Sequence, residues 1–121
     1  MKRIILDTNF IIETAKNNID LGKELSRIID ESYKLCTAEG TKEELEKIAK
    51  ENKIRDREAA KFGLKMIEKM GILKADGKNV DEKIKNLSDN NTIIATQDKE
   101  LKKKIKGHII VVRQKKHLQL I

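Results

Sequence analysis

Proline and tryptophan are absent, aromatic residues make up only 2% of the 121 positions, and the chain has a single cysteine and two histidines. Each scarcity removes a class of reading. With Phe10, Tyr33 and Phe62 as the only rings, and all three placed like core or boundary residues, bases have little to stack on. Cys36 has no partner for an internal disulfide and lies in an apolar stretch, where it reads as a small buried side chain rather than a reactive thiol. Cys36, His108 and His117 do not form a zinc-site spacing, so any metal is held by oxygen. The longest aliphatic stretch, Ile109 to Val112, falls far short of the roughly 18 to 20 residues that span a bilayer. Ile4 to Leu6 is too short for a signal-peptide core. The expected setting is cytoplasmic, with no membrane partner.

What is present is charge and aliphatic mass. Charged residues make up 39% and the net charge is +7. The length suits one domain over residues 1–121, with a core of Ile, Leu, Val, Ala and a little Met. The positive excess is local: residues 1–98 carry 19 Lys or Arg against 19 Asp or Glu, whereas 99–121 carry eight against Glu100 alone. A segment this basic is a footprint for a polyanion, most often nucleic acid, or else a solvated, solubilising surface. Lys102, Lys103, Lys104, Arg113, Lys115 and Lys116 are the candidate contacts.

Apolar spacing predicts a strand at 3–6 and a helix from Thr8 to Asn17, then a helical stripe at Leu21, Leu25, Ile28 and Ile29 and a strand from Lys34 to Thr37. Helices follow, carrying Leu45, Ile48 and Ala49, then Ala59, Gly63, Met66, Ile67 and Met70. A turn is expected through Gly71, Asp76 and Gly77. Beyond it come a helix with Val80, Ile84 and Leu87, a strand at Thr92 to Thr96, a helix at Asp98 to Lys106, a strand at Ile109 to Val112 and a short edge strand at His117 to Ile121. Hydrophobic strands alternating with helices predict an α/β fold with a parallel sheet covered on both faces. The stripes at Leu21, Leu25 and Ile28 and at Gly63, Met66 and Met70 suit either a core or a homodimer interface.

In such sheets ligands bind beyond the carboxyl ends of the strands. Asp7 directly follows the first strand, and Asp98 repeats that arrangement after the strand ending near Thr96. Each suits a helix N-cap as well as a pocket acid. On the helix beginning at Thr41, Glu43 and Glu46 have Lys47 and Lys50 four residues on, an ordinary solvated pairing, whereas Glu44 has Ile48 there and borders the apolar stripe. Asp81 borders the stripe of Val80, Ile84 and Leu87, while Glu82 points toward Lys85. Helix edges also carry charge for no functional reason. Four carboxylates converging on one sheet edge would repel one another, and oxygen-only ligation suits Mg²⁺ or Mn²⁺. One or two such ions would serve phosphodiester hydrolysis.

Ile4-Ile5-Leu6-Asp7-Thr8-Asn9-Phe10-Ile11, Glu-Glu-Leu-Glu-Lys-Ile at 43–48, Val80-Asp81-Glu82 followed by Ile84, and Ile93 to Leu101 together resemble a PIN-domain ribonuclease over essentially the whole chain. Asn18 to Leu21, Lys102 to Ile105 and Arg113 to His117 are most similar to the archaeal and eukaryotic small-subunit processome PIN nucleases. The resemblance implies a three-layer α/β/α sandwich with a central parallel sheet. It implies an acidic metal site of Asp7, Glu44, Asp81 and Asp98, with Asp7 the main ligand and Asn9 and Thr96 as supporting polar groups. The activity it implies is that of a metal-dependent endoribonuclease acting on precursor rRNA, with pre-ribosomal proteins as partners. A toxin-type ribonuclease of a toxin–antitoxin pair would use the same site. A non-catalytic RNA-binding assembly factor is the competing class. A phosphoryl-accepting pocket ranks last, because Arg113 is the nearest candidate for the cation it needs.

Overall fold

Alternation along the strands divides the interior in two. Ile4 and Leu6 of β1 (Lys2–Leu6), with Ile93 and Ala95 of β4 (Thr92–Ala95) and Ile110 and Val112 of β5 (Ile109–Arg113), belong to one buried cluster. Ile5, Ile94, Ile109 and Val111, one position out of phase, belong to the other. Successive strand side chains point to opposite faces, so a strand buried on both sides must be apolar throughout, as these are. In this computed structural model, which describes residues 1–51 and 53–121, the first cluster is covered by α1 (Thr8–Lys16), α2 (Leu21–Ile28), α3 (Thr41–Ile48) and α4 (Ile54–Ile67). The second is covered by α5 (Val80–Leu87) and α6 (Lys99–Lys104). The result is the expected three-layer α/β/α sandwich.

The sheet order is β3-β2-β1-β4-β5-β6, with β2 (Tyr33–Ala38) and β3 (Gly71–Leu73) beyond β1. All pairings are parallel except β5 with β6 (His117–Leu120), which is antiparallel. The chain moves outward from β1 through β2 to β3, then returns over β1 to β4 and continues the other way. Right-handed crossovers therefore put the early helices on one face and the late ones on the other. Leu118 of β6 is held to α2: Arg27 donates to its carbonyl at 2.6 Å, and its N–H donates to Glu24 at 2.8 Å.

Strand β3 corrects the expectation of a turn at Gly71. It is three residues long, Ile72 is 60% exposed, and neither face is buried, so no apolar period marks it. Its pairing with Cys36 to Ala38 at the sheet edge makes it a strand. Of the two stripes, Leu25 and Gly63 are buried, whereas Leu21, Ile28, Met66 and Met70 are only partly buried, and Leu21, Met66 and Met70 line a groove.

Candidate active site

β1 and β4 are neighbours from which the chain departs in opposite directions, and the crevice at their carboxyl ends is where an open α/β sheet binds ligands. A pocket of about 950 Å³ opens there, its walls including Asp7, Asn9, Glu44, Asp81 and Gln97.

Asp7 is 3% exposed. The Asp7 N–H donates to the carbonyl of Ala95, tying the end of β1 to β4, and its side chain caps α1 by accepting from the Thr8 N–H at 2.9 Å. The Thr96 hydroxyl donates to Asp7 Oδ2 at 2.7 Å while accepting the Asp98 N–H at 3.1 Å. One threonine thus fixes the buried carboxylate and the loop that follows β4. Burial pushes the Asp7 carboxyl up to about 6; the hydrogen bonds from Thr96 and Thr8 oppose this, and the charges of Asp81 and Glu44 add to it. Asp7 is thus both the N-cap of α1, through Oδ1, and a residue of the pocket wall.

Glu44 lies on an exposed face of α3 and accepts a hydrogen bond from the Thr8 hydroxyl. Gly40, with φ of +102°, makes the left-handed turn that starts α3 and delivers Glu44 to the pocket; an added Cβ would meet Val80 at 3.0 Å. Asp81, in the first turn of α5, reaches the pocket from the other layer, and its carboxyl is raised by partial burial and by the charge of Asp98, with Lys104 acting in the opposite sense. Asp98 lies beside this group, outside the pocket lining, and its Oδ1 caps α6 by accepting from Glu100 and Leu101. Glu43 and Glu82 do not line the pocket; Glu82 instead accepts from the Lys78 N–H at 2.6 Å. Among the described residues, no three Asp, Glu, His or Cys side chains are gathered into a group that could hold an ion as they stand. The expected convergence is therefore partial: Asp7 is buried and fixed, while Glu44, held by the Thr8 hydroxyl, and Asp81 are exposed side chains on the pocket wall.

The donor set nevertheless fits a hard divalent cation. It consists of oxygen alone, and Asp7 is a carboxylate whose surroundings resist its own ionisation, a resistance that a positive charge beside it would reverse. Asp7, Glu44 and Asp81, with Asp98 adjacent, would be the residues to hold such an ion.

Several pocket residues escaped the sequence reading. Thr8 bridges to Glu44. Gln97 is clamped, with Oε1 accepting the Val112 N–H at 2.7 Å and its own N–H donated to Asn9 Oδ1 at 3.2 Å. That leaves the Asn9 amide NH₂ without a hydrogen bond among the described residues, on the pocket wall. Lys47, Ile48 and Glu51 also line the pocket. They lie three, four and seven residues beyond Glu44 on the same side of the chain, so helical spacing was the available signal, and Lys47 belongs here rather than to a solvated pair with Glu43. Glu13, one helical turn beyond Asn9, is placed in the same way.

The basic segment does not form one patch. Lys102 is half-buried with its ammonium pushed down by burial and by the nearby charges of Arg113 and Lys99, while Asp98 opposes the shift. The hairpin carrying Lys115 and Lys116 follows β5 at the carboxyl edge of the sheet, the edge at which the pocket opens. Lys103 pairs with Glu100 at 3.4 Å, and Lys104, at the end of α6, lines a separate hollow.

With this geometry in hand, likeness to known proteins is informative. The family described as PIN like domain matches residues 4–115. The chain is 32% identical over 127 aligned residues to Ribonuclease VapC4 of Methanocaldococcus jannaschii, covering 99% of this chain and 97% of that one. It is 32% identical over 108 residues to Ribonuclease VapC9 of Archaeoglobus fulgidus, covering 89% and 78%. The solved structure of the PIN domain endonuclease Utp24 matches with a TM-score of 0.75 at 24% identity, over 98% of this chain and 90% of that one, a likeness of fold. A match over nearly the whole length, on a sheet whose switch point holds a buried aspartate, shows that the chain belongs to the PIN-like domain family.

Proposed function

We infer that the protein is an endoribonuclease that hydrolyses RNA phosphodiester bonds with Mg²⁺ or Mn²⁺, one or two ions, held by Asp7, Glu44, Asp81 and Asp98. The observation that carries this is Asp7: a carboxylate buried at the switch point, oriented by Thr8 and Thr96, and facing other acids in a pocket of about 950 Å³. Near-full-length relatives named as ribonucleases support RNA as the substrate.

The chain's own residues divide the work. The Thr96 hydroxyl and the Thr8 N–H each occupy one oxygen of Asp7, so its carboxylate plane is set before substrate arrives. The Asn9 amide, fixed by the Gln97 N–H, is placed to donate to a phosphate oxygen. Lys47 and Lys53 on the pocket wall offset the charge of flanking phosphates, and Ile12 and Ile48 limit water. When bound, the divalent cation supplies Lewis acidity toward the phosphodiester and activation of the attacking water. Lys102, Arg113, Lys115 and Lys116 flank the pocket and draw in the RNA backbone, Lys103 and Lys104 contributing more weakly.

Two biological settings fit this chemistry. Precursor small-subunit rRNA, with pre-ribosomal proteins as partners, follows from the wording of the motifs; a toxin-type ribonuclease with an antitoxin follows from the two named relatives. Cleavage of labelled precursor rRNA with Mn²⁺, Mg²⁺ or EDTA, comparing the native protein with Asp7→Asn, tests the activity. The variant is expected to lose cleavage by about a hundredfold or more while still binding RNA. Metal-independent cutting, or cutting that survives Asp7→Asn, overturns the mechanism. Growth arrest on expression without a partner favours the toxin reading; discrete cutting of the precursor in a tolerant host favours processing.

A further inference from the structure

At the amino-terminal edge of the sheet, opposite the pocket, lies a second hollow of about 480 Å³. Lys85 enters it from the last turn of α5, Asn90 from the turn before β4, Lys104 from the end of α6, and Lys106 from the loop to β5. Among the described residues none of the three lysines is in an ion pair or hydrogen bond. The only carboxylate there, Asp89, is fully engaged: the Thr92 hydroxyl donates at 2.7 Å, the Asn91 N–H at 2.8 Å and Arg3 at 3.2 Å. Lysines also collect at helix carboxyl ends, and α5 and α6 both end here. Two such ends carry roughly half a negative charge each, so about two of the three positive charges are left uncompensated.

The hollow and the pocket lie at opposite ends of α5: Asp81 in its first turn lines the pocket, and Lys85 in its last turn lines the hollow. The eight residues of α5 between the two ends rise about 12 Å, a distance that a few nucleotides of extended backbone cover. No aromatic side chain lines the hollow, so whatever binds is recognised by charge and not by stacking on bases.

We propose that this hollow holds a backbone phosphate of the same RNA whose scissile bond lies in the pocket, so that the strand is gripped at both ends of α5. The proposal rests on the ribonuclease reading and adds to it a contact independent of base sequence.

The test compares Lys85→Gln/Lys106→Gln with Lys61→Gln/Lys65→Gln, an equal loss of charge on α4 in the other layer. The readouts are fluorescence anisotropy of a labelled long RNA over a salt series, cleavage of an oligonucleotide only long enough to fill the pocket, and thermal melting. The first variant is expected to bind the long RNA about tenfold more weakly, with the slope of log K against log salt reduced by about 1.5, while cleaving the short one at the native rate and melting at the native temperature. The α4 variant is expected to keep the native slope. A native slope in the Lys85→Gln/Lys106→Gln variant overturns the proposal, and a lowered melting temperature alongside it assigns the lysines to the helix ends. If the unmodified protein binds no RNA, the ribonuclease reading falls as well; if it binds RNA and only the slope is unmoved, the second site alone is wrong.

Discussion

Asp7 is held in a setting that opposes its own charge, and that has a cost the protein bears when no cation is present. Its carboxyl stands at about 6 in the folded state against 3.8 as its ordinary value. Above pH 6 it is ionised in both states, and the folded state carries the full penalty, about 3 kcal/mol for a difference of this size. As pH falls from 6 toward 3.8 the folded state takes up a proton that the unfolded chain does not, so this contribution to stability rises; below 3.8 both are protonated and it is constant. In EDTA, Asp7→Asn should therefore melt on the order of 10 °C higher than the native protein at pH 7.5, with the gap closing by pH 4. Mn²⁺ should raise the melting temperature of the native protein only, which differential scanning calorimetry over a pH and metal series would read. Equal melting of the two proteins at pH 7.5 would show that Asp7 is not strained. The sequence showed that an acid follows the first strand, but not this strain, which comes from burial and from the charges of Asp81 and Glu44 on two other elements, against the opposing hydrogen bonds of Thr96 and Thr8.

Close approach and turn geometry matter most at the scale of elements. α4 crosses α1 at Gly63, where an added Cβ would lie 2.7 Å from Ile11 Cγ2, an atom of a stiff, β-branched, fully buried side chain. Alanine improves helix propensity by about 1 kcal/mol. The clash should outweigh this, so Gly63→Ala is expected to destabilise by a net 1 to 2 kcal/mol or so in urea titration; a more stable variant would mean that the two helices separate freely. The β5–β6 hairpin turns through Gln114 and Lys115, both in the left-handed region at φ of +52° and +57°, a conformation that neither side chain favours. Gln114→Asn with Lys115→Gly should stabilise the protein by about 1 kcal/mol, with the midpoint moved and the urea slope unchanged. The long elements were legible because apolar spacing marks them: β1, β4 and β5 as continuous runs, α3 and α5 as stripes. β3 was not, because a strand with no buried face has no period; it is made a strand by β2 alongside it.

Over the whole molecule the carboxyl edge of the sheet carries the acidic pocket and, after β5, Arg113, Lys115 and Lys116, with Lys102 on α6 near Arg113. Changing these four to Gln should lower the salt slope of RNA binding by up to about 3, whereas Lys103→Gln, which removes a lysine already paired with Glu100, should change it by less than about 0.3. Equal effects per lysine would mean that only net charge matters. By itself the sequence determined the layered α/β class, the apolar strands, the helices and the acids at their ends, because burial on two faces or one is written in local apolar spacing. It also fixed the excess of basic residues after position 98. Only the tertiary structure decided which acids share a pocket, since Asp7 caps α1 while Glu44 and Asp81 lie on α3 and α5, and the sheet order brings them to one wall. It decided as well that Asp98 stands beside them as a cap, and that the basic segment splits between two ends of the sheet. Each of these depends on contacts between residues far apart in the chain, and no local spacing encodes them.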